Sequence, residues 1–194
     1  MSLRKAFAHF RTITRHRHTV IAHCRRAGIL RQGLLHDLSK YAPTEFRAGA
    51  RYYAGTRSPN ELEREQHGYS AAWLHHKGRN RHHFEYWMDY DPVTRTQQPV
   101  KMPLRYVIEM FCDRVAASKI YRGRAYDRCH PLEYFERGIK TRVIHPETSA
   151  FLHMLLRMLA ERGEDETFRY IRQFLRTHRD YTADDCTGEI PPEL

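Results

Sequence analysis

Residues 33–41 read GLLHDLSKY, an apolar run that closes on an adjacent histidine and aspartate with a lysine one turn on. The run fits the end of a short helix over roughly 30–41, which Pro43 prevents from continuing. On a helix, neighbouring side chains diverge by about 100°. His36 and Asp37 therefore reach a single metal ion only if it lies between their two directions.

Upstream, Ile13, Val20 and Cys24 recur at helical spacing, and Gly28 is placed to end that helix. His9, His16 and His23 share the stripe, so at least one of them is expected to point inward. Downstream, Thr44 is positioned to cap a third helix that runs towards Gly55. TRSPNE (56–61) reads as a turn with Pro59 at a first helical position, and short helices flank KGRN (77–80). DYDPVTRTQQP (89–99) is the longest stretch without a pattern and reads as a plain connection. Pro103 then opens a long helix to Arg122, and two more span about 147–162 and 164–178. No repeat recurs and no strand alternation persists. The expectation is an all-α single domain over 1–178, followed by a polar, loosely held tail over 179–194 that ends IPPEL.

With 33 Lys and Arg against 23 Asp and Glu, the surface attracts anions, so phosphorylated small molecules and nucleic acid are both candidate partners. Cys24, Cys112, Cys129 and Cys186 form no CxxC pair and read as reduced thiols of a cytoplasmic protein. No run approaches the ~20 apolar residues of a membrane span, so no membrane partner is expected. Residues 1–36 hold eight Lys and Arg and no acid, as a transit peptide does, but they run on into the apolar pattern of the fold.

Two further features carry chemistry. WLHHKGRNRHHFEYW (73–87) holds two adjacent histidine pairs around a basic turn. Histidine is poor helix and core filler, which points to metal ligation or anion binding. On the 103–122 helix, Asp113 shares a face with Tyr106, Met110, Ala117 and Ile120. A carboxylate in an apolar stripe needs a cation or a partner, and Arg105 and Arg114 are the ordinary candidates.

His16, the pair His36 and Asp37, the histidines of HHKGRNRHH and the late Asp113 together resemble the HD-domain superfamily of metal-dependent phosphohydrolases. HDLSK also resembles its His-Asp-x-x-Lys variant, which brings in Lys40. The chain is further similar to a family of small bacterial proteins that share GLLHDLSKY, SPNE, WLHHKGRN and MPLRY. The resemblance implies an HD-like helical bundle in which His16, His36, Asp37 and Asp113 bind one divalent transition metal: Mn, Fe, Co, Ni or Zn. One histidine of each adjacent pair, taken as His76 and His83, would bring a second ion. Lys40 would act in catalysis, and Lys77, Arg79 and Asn80 would hold the substrate anion.

The expected function is hydrolysis of a phosphate ester such as a nucleotide or cyclic nucleotide. A di-iron HD-type oxygenase is the enzymatic alternative. A non-enzymatic nucleic-acid binder, gripping phosphates with the basic first helix and the KGRNRHH loop, is the alternative from another class.

Overall fold

The computed structural model describes residues 2–187 and 189–191, so the last three residues of IPPEL lie outside the description. Among the described residues the chain is nine α-helices and one two-stranded sheet, an all-α architecture with a small β excursion. Helix α1 (Leu3–Ala27) ends where Gly28 takes a left-handed conformation, φ 89°, and donates its N–H to the carbonyls of Arg25 and Cys24. The chain then doubles back as α2 (Leu30–Leu35).

Gly33 is where α2 meets α1, and a β-carbon there would come within 2.7 Å of the Cys24 Cβ and 3.2 Å of the Ile21 Cα. Only a residue without a side chain lets the two backbones approach this closely. Arg17 of α1 reinforces the contact by donating to the carbonyls of Leu34 and His36. The expected helix over 30–41 is interrupted: α2 stops at Leu35, Asp37 adopts φ 55°, and Leu38–Tyr41 forms a 3-10 turn. Aspartate tolerates this left-handed region better than most residues, and the break re-aims the Asp37 carboxylate.

Prolines start α3 (Pro43–Arg51) and α4 (Pro59–His67), and α5 (Ala71–Lys77) begins behind Ser70, whose hydroxyl accepts the Trp73 N–H. The connection over 89–99 is ordered. Strands β1 (Met88–Asp91) and β2 (Thr96–Pro99) pair antiparallel from Met88 opposite Pro99 to Asp91 opposite Thr96. The Asp91 carboxylate fixes the turn, accepting from the Val93 N–H at 2.8 Å and the Thr94 hydroxyl at 2.9 Å. Four-residue strands with largely exposed side chains carry no apolar alternation, so the pattern stays silent there.

Helices α6 (Leu104–Arg122), α7 (His130–Arg137), α8 (Pro146–Arg162) and α9 (Glu164–Thr177) complete the bundle. α6 packs on α1, α7 and α8, and α9 on α1 and α8. Val107, Ile108, Phe111 and Val115 of α6 meet Phe151, Leu155, Leu159, Phe168 and Ile171 in one core. Each such side chain contributes about 1.5–3 kcal/mol on burial. The tail is less loose than its polarity implies: Tyr181 is fully buried, stacks on Phe151 at 4.7 Å and donates its hydroxyl to the Met102 carbonyl at 2.7 Å.

Gly33→Ala should lower stability by about 1–3 kcal/mol, because the methyl group has no room between α1 and α2. Urea unfolding of the metal-free protein reads this directly; an unchanged midpoint would show that the two helices are not held at contact distance.

Candidate metal centre

α1 buries three histidines, and their surroundings separate them. His9 packs on Phe46 and Tyr53. His23 contacts the Cys112 carbonyl through Nδ1 and the Lys119 ammonium through Nε2, each at 3.2 Å. His16 alone turns towards the pair at 36 and 37. Its Nε2 lies 3.0 Å from Asp113 Oδ1 and 3.6 Å from Asp37 Oδ2. His36 Nε2 completes this group, 3.2 Å from Asp37 Oδ2 and 3.5 Å from Asp113 Oδ1. Asp113 therefore faces imidazoles and not the arginines beside it in sequence; the Arg114 guanidinium lies over the Phe135 ring.

The other oxygen of Asp37 faces the histidine-rich loop. Asp37 Oδ1 is 3.2 Å from His76 Nε2 and 3.6 Å from His82 Nε2, and His76 Nε2 lies 2.9 Å from His83 Nε2. Sequence reasoning took one histidine from each pair, His76 and His83. The structure brings His82 into the same cluster, because the turn after α5 lets both members of the second pair face inward. His75 points away from this group, to Glu45.

Two acids that the sequence reading did not place in the site orient these rings. Glu109 lies one turn before Asp113 on α6 and accepts from His36 Nδ1 at 2.9 Å; its Oε1 also lies 3.1 Å from His82 Nδ1. Glu45 of α3 accepts from His75 Nδ1 at 2.6 Å and from His76 Nδ1 at 2.8 Å. The spacing of Glu109 and Asp113, four residues apart on one face, was a visible signal. Nothing in the sequence pointed Glu45 at a histidine thirty residues away.

A carboxylate on Nδ1 fixes the ring and presents the Nε2 lone pair, the arrangement found behind metal-bound imidazoles. The Nε2 atoms of His16, His36 and His82 and Asp37 Oδ1 are buried and lack a well-aligned hydrogen bond among the described residues, while Asp37 Oδ2 meets the Lys40 ammonium. Such orphaned groups are costly unless a further partner fills the space between them. Around an ion with bonds of about 2.1 Å, adjacent donors stand roughly 3.0 Å apart in an octahedron and 3.4 Å in a tetrahedron. The spacings at Asp37 fall around those values. Two groups that share Asp37 could thus each hold an ion, one of His16, His36, Asp37 and Asp113, the other of Asp37, His76, His82 and His83; His36, His82 and Glu109 form a third, overlapping group.

Electrostatics run the same way. Burial alone would raise the pKa of Asp37; the charges of His36, Lys40 and His76 and the contact with His16 outweigh it and hold the carboxyl well below its usual range. Asp113 is also held well down: burial is outweighed by its contacts with His16 and His36. Burial would lower His36, but the Asp37 charge and the contacts with Asp113, Asp37 and Glu109 raise it well above 6.5. His82 and His83 are pushed down by burial and by neighbouring imidazoles.

Lys40 places its ammonium 2.5 Å from Asp37 Oδ2. The three groups expected to hold a substrate anion behave differently from one another. Arg79 is exposed and Lys77 half-buried. Asn80 is buried, and its amide donates to Ser39 Oγ and to the His76 carbonyl, both at 2.8 Å. It holds the histidine loop in place.

A family of unknown function, DUF5662, matches residues 5–158, a span that contains every side chain of this cluster. No curated protein and no solved structure matches the chain.

In metal-free protein His36 should keep its proton above the ordinary 6.5. Its folded pKa is raised, so its stabilisation is complete below 6.5 and is lost as pH rises through the folded value. Imidazole nitrogen NMR over a pH series reads this, with His82 and His83 neutral throughout the neutral range. Titration of His36 at or below 6.5 would contradict the buried pairing with Asp37.

Proposed function

The chain belongs to DUF5662, a family that brings no reaction with it, and we propose from the geometry that it is a metal-dependent phosphohydrolase of HD type, acting on a phosphate ester such as a nucleotide or cyclic nucleotide. The observation that carries this reading is the convergence of three buried imidazole Nε2 atoms, none with a well-aligned hydrogen bond, on the Asp37 carboxylate, with Glu109 behind two of the imidazoles. The order of His16, His36 with Asp37, the later histidines and Asp113 along the chain supports the HD resemblance.

A divalent ion bound there would lower the pKa of a water ligand towards neutrality and polarise a phosphoryl group. The chain's own residues do the rest. Glu109 and Glu45 keep the protons of His36, His82 and His76 on Nδ1, leaving each Nε2 free to ligate. The protons that His36 and His76 carry in the empty site are charge that an ion would replace. Lys40 remains a cation: burial would lower its pKa, but the charges of Asp37 and Asp113 outweigh it and raise it. It therefore serves to balance negative charge on a phosphoryl group and not to donate a proton. Lys77 and Arg79 add attraction for an anion.

The second imidazole-rich group favours one rival, an HD-type oxygenase with a pair of irons. The nucleic-acid-binding reading accounts for the basic surface but gives the buried donors no task.

Purified protein should hold at least one transition metal per chain. Asp37→Ala should lose it while circular dichroism shows the helical content kept. With Mn, Co or Ni, the wild type should release phosphate or open a phosphodiester in a nucleotide panel equally fast with and without oxygen. Activity confined to iron and oxygen would transfer the reading to the oxygenase. Nucleic-acid binding that falls steeply with salt and survives metal removal, with no turnover, would favour the binder.

A further inference from the structure

The two donor groups meeting at Asp37 are unequal, and the inequality has a chemical direction. The group at Asp37 Oδ1 offers three imidazole nitrogens and one oxygen; the group at Oδ2 offers two nitrogens and two oxygens. Imidazole suits zinc-like ions, and carboxylate suits manganese-like ones.

Two further observations point the same way. In the first-named group both His76 and His82 have Nδ1 held by a carboxylate, whereas in the other only His36 does. Orienting partners of this kind strengthen binding. The Lys40 ammonium sits at 2.5 Å from Oδ2 and, among the described residues, no lysine or arginine pairs with Oδ1. A resident cation thus opposes metal binding on one side of Asp37 only.

We infer that the centre holds two different ions: a zinc-class ion kept tightly by Asp37, His76, His82 and His83, and an exchangeable manganese-class ion held by His16, His36, Asp37 and Asp113. This rests on the metal-dependent reading given above. It assigns the exchangeable ion to the side where Lys40 and an incoming phosphate meet, and gives the tightly held ion the task of fixing Asp37.

Protein stripped with a chelator is given one equivalent of zinc and an excess of manganese, freed of unbound metal, and measured by elemental analysis and by electron paramagnetic resonance of manganese. The wild type should carry one zinc and one magnetically isolated manganese per chain. Asp113→Ala should keep the zinc and lose the manganese. His83→Ala should bind zinc about ten-fold or more weakly. Lys40→Met leaves both donor groups complete and should tighten manganese while zinc affinity stays the same, a check that stands even if a ligand variant misfolds. Zinc lost equally from Asp113→Ala and His83→Ala, or manganese affinity unmoved in Lys40→Met, overturns the unequal centre while leaving metal dependence intact. A wild type that takes up neither metal overturns the proposed function itself.

Discussion

A buried carboxylate that faces four imidazoles and an ammonium governs this fold. Asp37 is 1 % exposed, and removing its charge from water is unfavourable unless cations surround it. α1 must bring His16, the chain between α2 and α3 must break to turn both oxygens outwards, and α5 with its loop must bring the other rings. The contact at Gly33, the left-handed backbone at Asp37 and the Asn80 brace each meet part of that geometric demand.

The periodic parts of the chain were open to reading because burial of one helix face writes itself into the sequence. Ile13, Val20, Cys24 and Gly28 gave α1 and its end, and Pro59 and Pro103 marked where helices begin. The short α7 went unread, since eight residues hold too few repeats, and the hairpin went unread because its strands are exposed on both faces. Tyr181 could not be read as an anchor: a lone aromatic in a polar segment has no period, and its partners Phe151, Thr148 and Met102 lie far back along the chain.

For the centre, residue type was the informative signal and partnership was not. Polar residues in apolar company singled out His36, Asp37 and Asp113, and the order along the chain implied by the HD resemblance joined His16 to them. Which of His75, His76, His82 and His83 turn inwards depends on a turn conformation that spacing alone leaves open. Glu45 and Glu109 look in sequence like ordinary helix acids; their task appears only when the histidines they hold are placed opposite them.

The burial of Tyr181 also bears on how the chain is completed during synthesis. Every residue of the Asp37 cluster is made before α8, yet the ring face of Phe151 on which Tyr181 stacks is covered only once that residue emerges. A chain released before that residue would carry the full donor set on an open core, the kind of exposed apolar surface that promotes aggregation and invites proteolysis. Tyr181 thus closes part of the core independently of whether the centre has formed.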